Sequence, residues 1–355
     1  MYKVHIKPHW EISRDNEASL DTTNLLTLLT AIQQSGSIAQ AAQQIRYSYR
    51  HAWGLLRDAE RIFDNNLIDS GRGRGTTLTA FANKLLWGDR LVTARLSPTL
   101  DSLASELETE LGKTVDGSAQ TIRLNASHGF AVAALLDKLN AARLPVEVRY
   151  RHSTDAVAAL SRQECDLAGF HVPLGEFERP AIAAYAKWLN PRSDCLIHLA
   201  VRSQGLFVPP GNPKGVRSLA DLTRAELRFV NREAGSGTRM LLELMLADAG
   251  ILHKNINGFE NTEFTHSAVA AFIASGMGDV GFGVQTASQR FGLEFIPLVR
   301  ERYFFALPAA SLHDPLIRSV IDTLQSDAFR SVVNNLAGYD ATDTGRILTL
   351  KEAFG

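Results

Sequence analysis

The chain is 355 residues long, 45% hydrophobic and 21% charged, the composition of an ordinary globular protein and not of a disordered or fibrous one. Its 37 Lys and Arg against 38 Asp and Glu give a net charge of −1, so the chain as a whole shows no bias towards polyanions. Two cysteines, Cys165 and Cys195, exclude a disulfide-built scaffold and fit a reducing compartment. The length predicts two or three cores. The opening MYKVHIKPHWEISRDNE has no apolar signal-peptide core, and no run approaches the roughly 18 apolar residues of a membrane span. A cytoplasmic protein with no membrane partner is expected.

Val4, Ile6, Trp10 and Ile12 alternate with polar residues, which predicts a strand, at a sheet edge because of Pro8. From Asp21 the period becomes helical, with Leu25, Leu28, Leu29 and Ile32 on one face and a stop at Ser35-Gly36. Ser37 is placed to cap a short helix over 38–45, and Ser48 a third helix running to about Phe63. LIDSGRGRGTTLT then reads as a hairpin. A long helical stretch begins at Thr79, and Pro98 is expected to kink or restart it before it ends near Leu111. GKTVDGSAQ, 112–120, reads as a linker. Beyond it, strand and helix alternate: IRLNAS, a helix to Arg143, VEVRY, a helix to Gln163, DLAGFHV, LRFVNR, a helix to about Ala249, a helix from His266 to Ser275, and DVGFGV. That alternation predicts a mostly parallel α/β sheet with helices on both faces.

Three helices with a tight turn before the third, then a hairpin, describe a winged helix-turn-helix. Arg46, Tyr47, Ser48, Arg50, His51 and Arg57 fall at the start or on the polar face of the third helix, where they can reach base edges and phosphates. Trp53, Leu55, Leu56, Ile62 and Phe63 are assigned to the core. Arg72 and Arg74 sit at the hairpin tip between three glycines that let the backbone approach a duplex. Residues 38–84 carry seven basic side chains against four acidic ones, and residues 96–120 one against five. The near-neutral total therefore conceals a basic segment followed by an acidic one.

The stretch LLTAIQQSGSIAQAAQQIRYSYRHAWGLLRDAE followed by GRGRGTTLT resembles the DNA-binding domain of the molybdate-responsive, ModE-type repressors, and is more distantly similar to LysR-type regulators. The resemblance implies a transcription factor that binds double-stranded operator DNA as a homodimer or higher homo-oligomer, with the helix that follows the wing forming the dimer interface.

In the second half, hydroxyl residues stand at four strand-to-helix junctions: Ser127-His128, Ser153-Thr154, Ser236-Gly237-Thr238-Arg239 and Thr265-His266. Ser or Thr at or near a helix N-cap, with free N–H groups and the helix dipole, favours an anion. In an open α/β sheet such junctions gather beyond the C-terminal strand ends, where ligands bind. GSGTR, 235–239, lacks the ending and spacing of a Walker loop; it fits an anion-binding turn with Arg239 either clamping the anion or making a structural salt bridge. His128, His171 and His266 match no zinc signature, and no metal and no cofactor is expected.

The pieces NASHGF, DLAGFHV, GLFVPPGNP, FVNREAGSGTR, THSAVAAFIASGMGDVGFGV and FIPLVRERYFF resemble the type 2 periplasmic-binding-protein fold, in the cytoplasmic form fused to molybdopterin-biosynthesis proteins and ModE-like helix-turn-helix domains. The resemblance implies two lobes with crossings near 200–206 and 298–304. The expected layout is a DNA-binding domain over 1–80, a dimerisation helix and linker over 81–120, and a ligand-binding domain over 121–355. Lobe one of that domain takes about 121–200 and 304–355, and lobe two about 206–298. Ser127, His128, Ser153, Thr154, His171, Ser236, Gly237, Thr238, Arg239, Thr265 and His266 are its candidate ligand-binding residues. The implied effector is a small anion, molybdate or tungstate first, with formate or a molybdenum cofactor as alternatives. The reading of another class is a cytoplasmic enzyme or a solute-binding protein using the same cleft. No G-x-S-x-G elbow is present, and adjacent Ser127 and His128 make no triad.

Overall fold

The computed structural model describes residues 3–13, 19–71, 75–116 and 120–355, without the side chains of 70, 71 and 113–116. The chain divides into two compact units, Lys7–Leu96 and Ser97–Gly355 with Met1–Ile6.

In the smaller unit β1 (Glu11–Ile12) pairs antiparallel with β2 (Leu20–Asp21). The alternation from Val4 predicted a longer strand, but within 4–12 only residues 11 and 12 form a ladder. Pro8 offers no N–H, and the segment is held by point contacts instead. Thr22 donates its hydroxyl to the Trp10 carbonyl at 2.6 Å, and Trp10 Nε1 donates to Asp89 at 3.0 Å. Helix α1 (Thr22–Ser35) starts at the Asp21 cap and ends at Gly36, whose φ of 66° closes the helix in the left-handed region. Ser37 caps α2 (Ile38–Gln44) and Ser48 caps α3 (Tyr49–Phe63), accepting from His51 N at 3.1 Å. Leu25, Leu28, Leu29 and Ile32 of α1, Ile38 and Ala41 of α2, and Ala52, Leu56 and Ala59 of α3 form one core. Trp53, Leu55 and Phe63 pack at its border. Ile62 is half-buried and is not part of that cluster. β3 (Ile68–Gly71) and β4 (Gly75–Leu78) make the antiparallel wing. Thr76 N bonds to the Gly36 carbonyl at 2.8 Å, tying the wing to the end of α1. Arg72 and Arg74 lie outside the described residues.

Helix α4 (Ala80–Asp116) runs through Pro98 and past Leu111 as one element, where a break at the proline and a linker from 112 were expected. An interior proline removes one backbone bond and costs about 3 kcal/mol. Packing on both sides outweighs it: Leu86 is buried in the smaller unit and Ala104 in the larger.

The larger unit continues with β5 (Ile122–Ala126), α5 (Phe130–Ala141), β6 (Val146–Tyr150), α6 (Ser153–Ser161), β7 (Leu167–Pro173) and α7 (Glu178–Tyr185). The long strand β8 (Asp194–Val208) leads into β9 (Phe229–Arg232), α8 (Gly237–Asp248), β10 (Thr262–Glu263), α9 (His266–Ala274), β11 (Val280–Val284) and α10 (Gln285–Arg290). A second long strand, β12 (Glu294–Pro308), returns to α11 (Pro315–Gln325), α12 (Asp327–Asn334), β13 (Tyr339–Asp340), β14 (Ile347–Thr349) and α13 (Leu350–Phe354). The strand order is β10-β9-β11-β8-β12-β7-β5-β6, with β13 and β14 also on β8. Strands β5, β6 and β7 are mutually parallel, as are β9, β10 and β11. The antiparallel pair β8–β12 runs through both groups and makes the domain two-lobed.

The free side of edge strand β6 is met by α4. Val148 N and Tyr150 N donate to the hydroxyls of Ser105 and Ser102 at 2.9 and 3.0 Å, so this sheet edge is covered by a helix.

Where β8 and β12 meet, backbone approaches backbone: a Cβ at Gly205 would lie 2.1 Å from the Ile296 carbonyl oxygen. Gly205→Ala is therefore expected to cost about 1–3 kcal/mol by overpacking. A melting temperature unchanged from that of the unsubstituted chain would contradict this tight crossing.

Candidate functional site

At the middle of the long pair, Arg202 of β8 lies directly opposite Glu301 of β12. Residues two apart on a strand share a face, so Gln204 joins Arg202, and Tyr303 joins Glu301. Tyr303 is in turn opposite His171 of β7, with ring centroids 4.4 Å apart. One face at the seam between the lobes thus carries His171, Tyr303, Glu301, Arg202 and Gln204. Arg202 Nε donates to Glu301 Oε1 at 2.5 Å, and Gln204 Nε2 donates to the same oxygen at 2.7 Å and to Thr238 Oγ1 at 3.1 Å. Ser153 Oγ is 3.1 Å from His171 Nδ1. Lobe two closes on this face through the start of α8: a Cβ at Gly237 would lie 3.3 Å from both Ser153 Oγ and His171 Nδ1. Thr154 Oγ1 reaches the Gly235 carbonyl at 3.4 Å.

The cluster is buried and its polar atoms are only partly paired. Arg202 Nη2, His171 Nε2, His266 Nδ1, Gln204 Oε1 and Glu301 Oε2 have no hydrogen-bond partner among the described residues. Arg202 and Glu301 offset one another in charge. Arg232, also buried, is held by carbonyl groups, those of Glu263 and Phe264, with the Glu233 carboxylate acting on its charge from nearby. Burial, reinforced by Arg202, pushes Arg232 down to about 9. Burial and the two guanidinium groups hold His171 and His266 well below the usual imidazole range. His128, with 19% of its side chain exposed, is pushed down to about 4 by burial, then by Arg232 and Arg290. Among the described residues no group of three or more His, Cys, Asp or Glu is arranged to hold a metal ion. Neutral imidazoles beside two buried guanidinium groups suit an anion.

These histidines also set a pH dependence. In the unfolded chain His171 and His266 protonate below about 6.5, whereas the folded protein keeps them neutral. The unfolded state then binds more protons, so stability is full above that pH and is lost as pH falls below it. The larger unit is expected to melt lower at pH 5.5 than at 7.5, with a shallower dependence in His171→Gln. A flat profile between those values would contradict neutral burial.

Of the four hydroxyl junctions, two form caps. Ser236 accepts from Arg239 N at 3.2 Å and donates to the Glu233 carbonyl at 2.8 Å, and Thr265 accepts from Ala268 N at 2.9 Å. Ser127 does not cap, because α5 begins after Gly129. Ser153 is the first residue of α6, after the His152 cap, and its hydroxyl turns to His171. Arg239 makes structural contacts. Its Nε pairs with Glu243 at 2.6 Å, its Nη1 meets the carbonyls of Arg232 and Phe259, and its guanidinium lies 4.0 Å from the Phe259 ring centre. Sequence reasoning missed Arg202, Gln204, Arg232 and Glu301. The available signal was a charge inside an otherwise apolar strand run, as in LIHLAVRSQGLFV.

On α3, Arg50, Gly54, Arg57 and Arg61 are exposed at intervals of four and three, which places them on one face. Arg46, in the left-handed region at φ 60°, Ser48 and His51 are exposed at its start. Ser48 is committed to the cap. Tyr47 is half-buried and donates its hydroxyl to Asn24 at 2.8 Å, so it braces α3 against α1. Tyr49, 53% exposed, was missed. Exposed Gly54 costs about 1 kcal/mol relative to Ala in a helix; it opens the middle of the arginine face to close approach.

Comparison with known proteins gives three kinds of match. The chain is 30% identical over 203 residues to YvgK of Bacillus subtilis (strain 168), covering 56% of this chain and 64% of YvgK. It is 41% identical over 63 residues to the transcriptional regulator ModE of Haemophilus influenzae, covering 17% of this chain and 25% of that protein. The chain therefore spans less than two thirds of either relative. A solved structure of Corynebacterium glutamicum OxyR superposes with a TM-score of 0.45 at 15% identity, covering 88% of this chain and 93% of OxyR. The family model for the PBP superfamily domain matches residues 136–325. Since that match takes in more than half of the sequence and lies within the two-lobed domain, the chain belongs to the PBP superfamily.

Proposed function

We propose that this protein is a one-component transcription regulator. The unit of residues 7–96 reads operator DNA through α3 and the wing, and the two-lobed unit binds a small anionic effector that alters operator affinity. The observation that carries the effector half is the buried seam, where two buried guanidinium groups stand beside neutral histidines and unpaired polar atoms. The exposed Arg50, Arg57 and Arg61 face supports the DNA half, as does similarity to a protein named as a transcriptional regulator. Val92, Leu96, Leu103, Leu107 and Leu111 are exposed along α4 at intervals of four or seven, a stripe that supports pairing with a second copy. Because Ser102 and Ser105 of α4 are bonded to edge strand β6, a rearrangement of lobe one is felt directly by that helix. An effector preferring one lobe arrangement would shift the population of DNA-binding states.

The test is fluorescence anisotropy with DNA from upstream of the protein's own gene, with and without added anion. Molybdate and tungstate come first, given the resemblance to molybdate-responsive repressors. The expected result is salt-sensitive DNA binding that changes about fivefold or more on adding effector. Absence of DNA binding at low salt would overturn the DNA half, and DNA binding indifferent to every anion would overturn the effector half.

A further inference from the structure

Two of the unpaired atoms at the seam are acceptors. Glu301 is fully buried, and its Oε1 takes both Arg202 Nε and Gln204 Nε2, while Oε2 takes nothing. A carboxylate has only acceptor sites, and an acceptor buried without a donor is costly, more so when charged. The Gln204 amide is fixed in orientation, because its NH2 must face the carboxylate and Thr238 Oγ1; its oxygen is therefore a true second acceptor without a partner. Beside them stands Arg202 Nη2, which can only donate, while the Tyr303 and Ser127 hydroxyls, His171 Nε2 and His266 Nδ1, also without a partner, serve in either role. A ligand that brings only acceptors, such as a fully ionised tetrahedral dianion, would answer Arg202 and set its charge against Glu301 Oε2.

We propose that the effector is an anion carrying its own hydroxyl: its charged oxygens lie against Arg202 Nη2, and its O–H donates to Glu301 Oε2. This rests on the reading that the seam takes a small anion, and it narrows that reading. Hydrogenphosphate and hydroxycarboxylates share this chemistry. Molybdate, tungstate and sulfate, which carry no proton at neutral pH, do not, so the inference moves away from the anions that the sequence resemblance suggests.

Titration calorimetry of the full chain at fixed ionic strength tests it with matched pairs: hydrogenphosphate against sulfate and molybdate, and glycolate against acetate. The hydroxyl-bearing member of at least one pair is expected to bind about tenfold tighter or more, since a site built to hydrogen-bond an O–H rejects the analogue that lacks it. Whichever pair discriminates identifies the source of the hydroxyl. In Glu301→Gln an NH2 can replace the acceptor oxygen, and the preference should shrink to about threefold or less. The matched pairs use the unsubstituted protein, so the result stands even where that variant fails to fold. Binding in which neither hydrogenphosphate nor glycolate is tighter than its hydroxyl-free counterparts overturns this inference and leaves the anion site intact. No binding of any of the five overturns both.

Discussion

Arg202→Met is expected to destabilise the larger unit by about 3–5 kcal/mol, because it leaves the Glu301 carboxylate buried without its cation. Both side chains are nearly inaccessible, at 2% and 0% exposure, so water cannot take the place of the guanidinium. Calorimetry of the full chain would read this as a large fall of one melting transition. The double variant Arg202→Met, Glu301→Leu should recover much of the loss, since replacing a whole buried pair by apolar groups is often neutral. A single variant that melts with the unsubstituted protein would mean that the two charges are not buried together. A double variant no better than the single one would mean that Gln204 and Thr238, which share the network, depend on the carboxylate as much as Arg202 does.

Arg50→Ala is expected to weaken operator binding about tenfold or more, on the scale of a lost base contact, with no change in melting temperature. Arg50 is exposed and makes no ion pair among the described residues, so truncation leaves nothing unpaired. Arg61 supplies the internal comparison: it is already paired to Asp58 at 3.1 Å, and Arg61→Ala should cost less. Anisotropy across a salt series separates roles, because loss of a phosphate contact lowers the slope by about one while weakening all sequences alike. Equal affinities for the unsubstituted chain and Arg50→Ala would remove this face from the interface.

The helix starts were legible because a cap is local. Ser37, Ser48, Ser236 and Thr265 each bond a backbone N–H three residues ahead, so a hydroxyl before an apolar periodicity carries the needed information in a handful of residues. Ser153 stands next to its cap and Ser127 two residues before one, so neither hydroxyl closes the helix start. There the backbone starts the helix after Gly129 and His152, and the Ser153 hydroxyl is drawn to a histidine 18 positions away. Pro98 was read from its local cost, but distant packing decided the helix.

By itself the sequence determined the alternation of elements, the capped helix starts and the concentration of arginine in residues 38–84, all of which depend on neighbours along the chain. Tertiary structure alone decided which polar groups meet at the seam. Arg202 and Glu301 stand 99 residues apart, and they face each other only because two long strands pair there in a register set off by an irregularity on either side, between Pro297 and Val299 and between Tyr303 and Phe304. A shift of that register by a single residue would turn each side chain to the opposite face of the sheet. These two irregularities set the local register, and just beyond the first of them the backbone contact at Gly205 admits no Cβ.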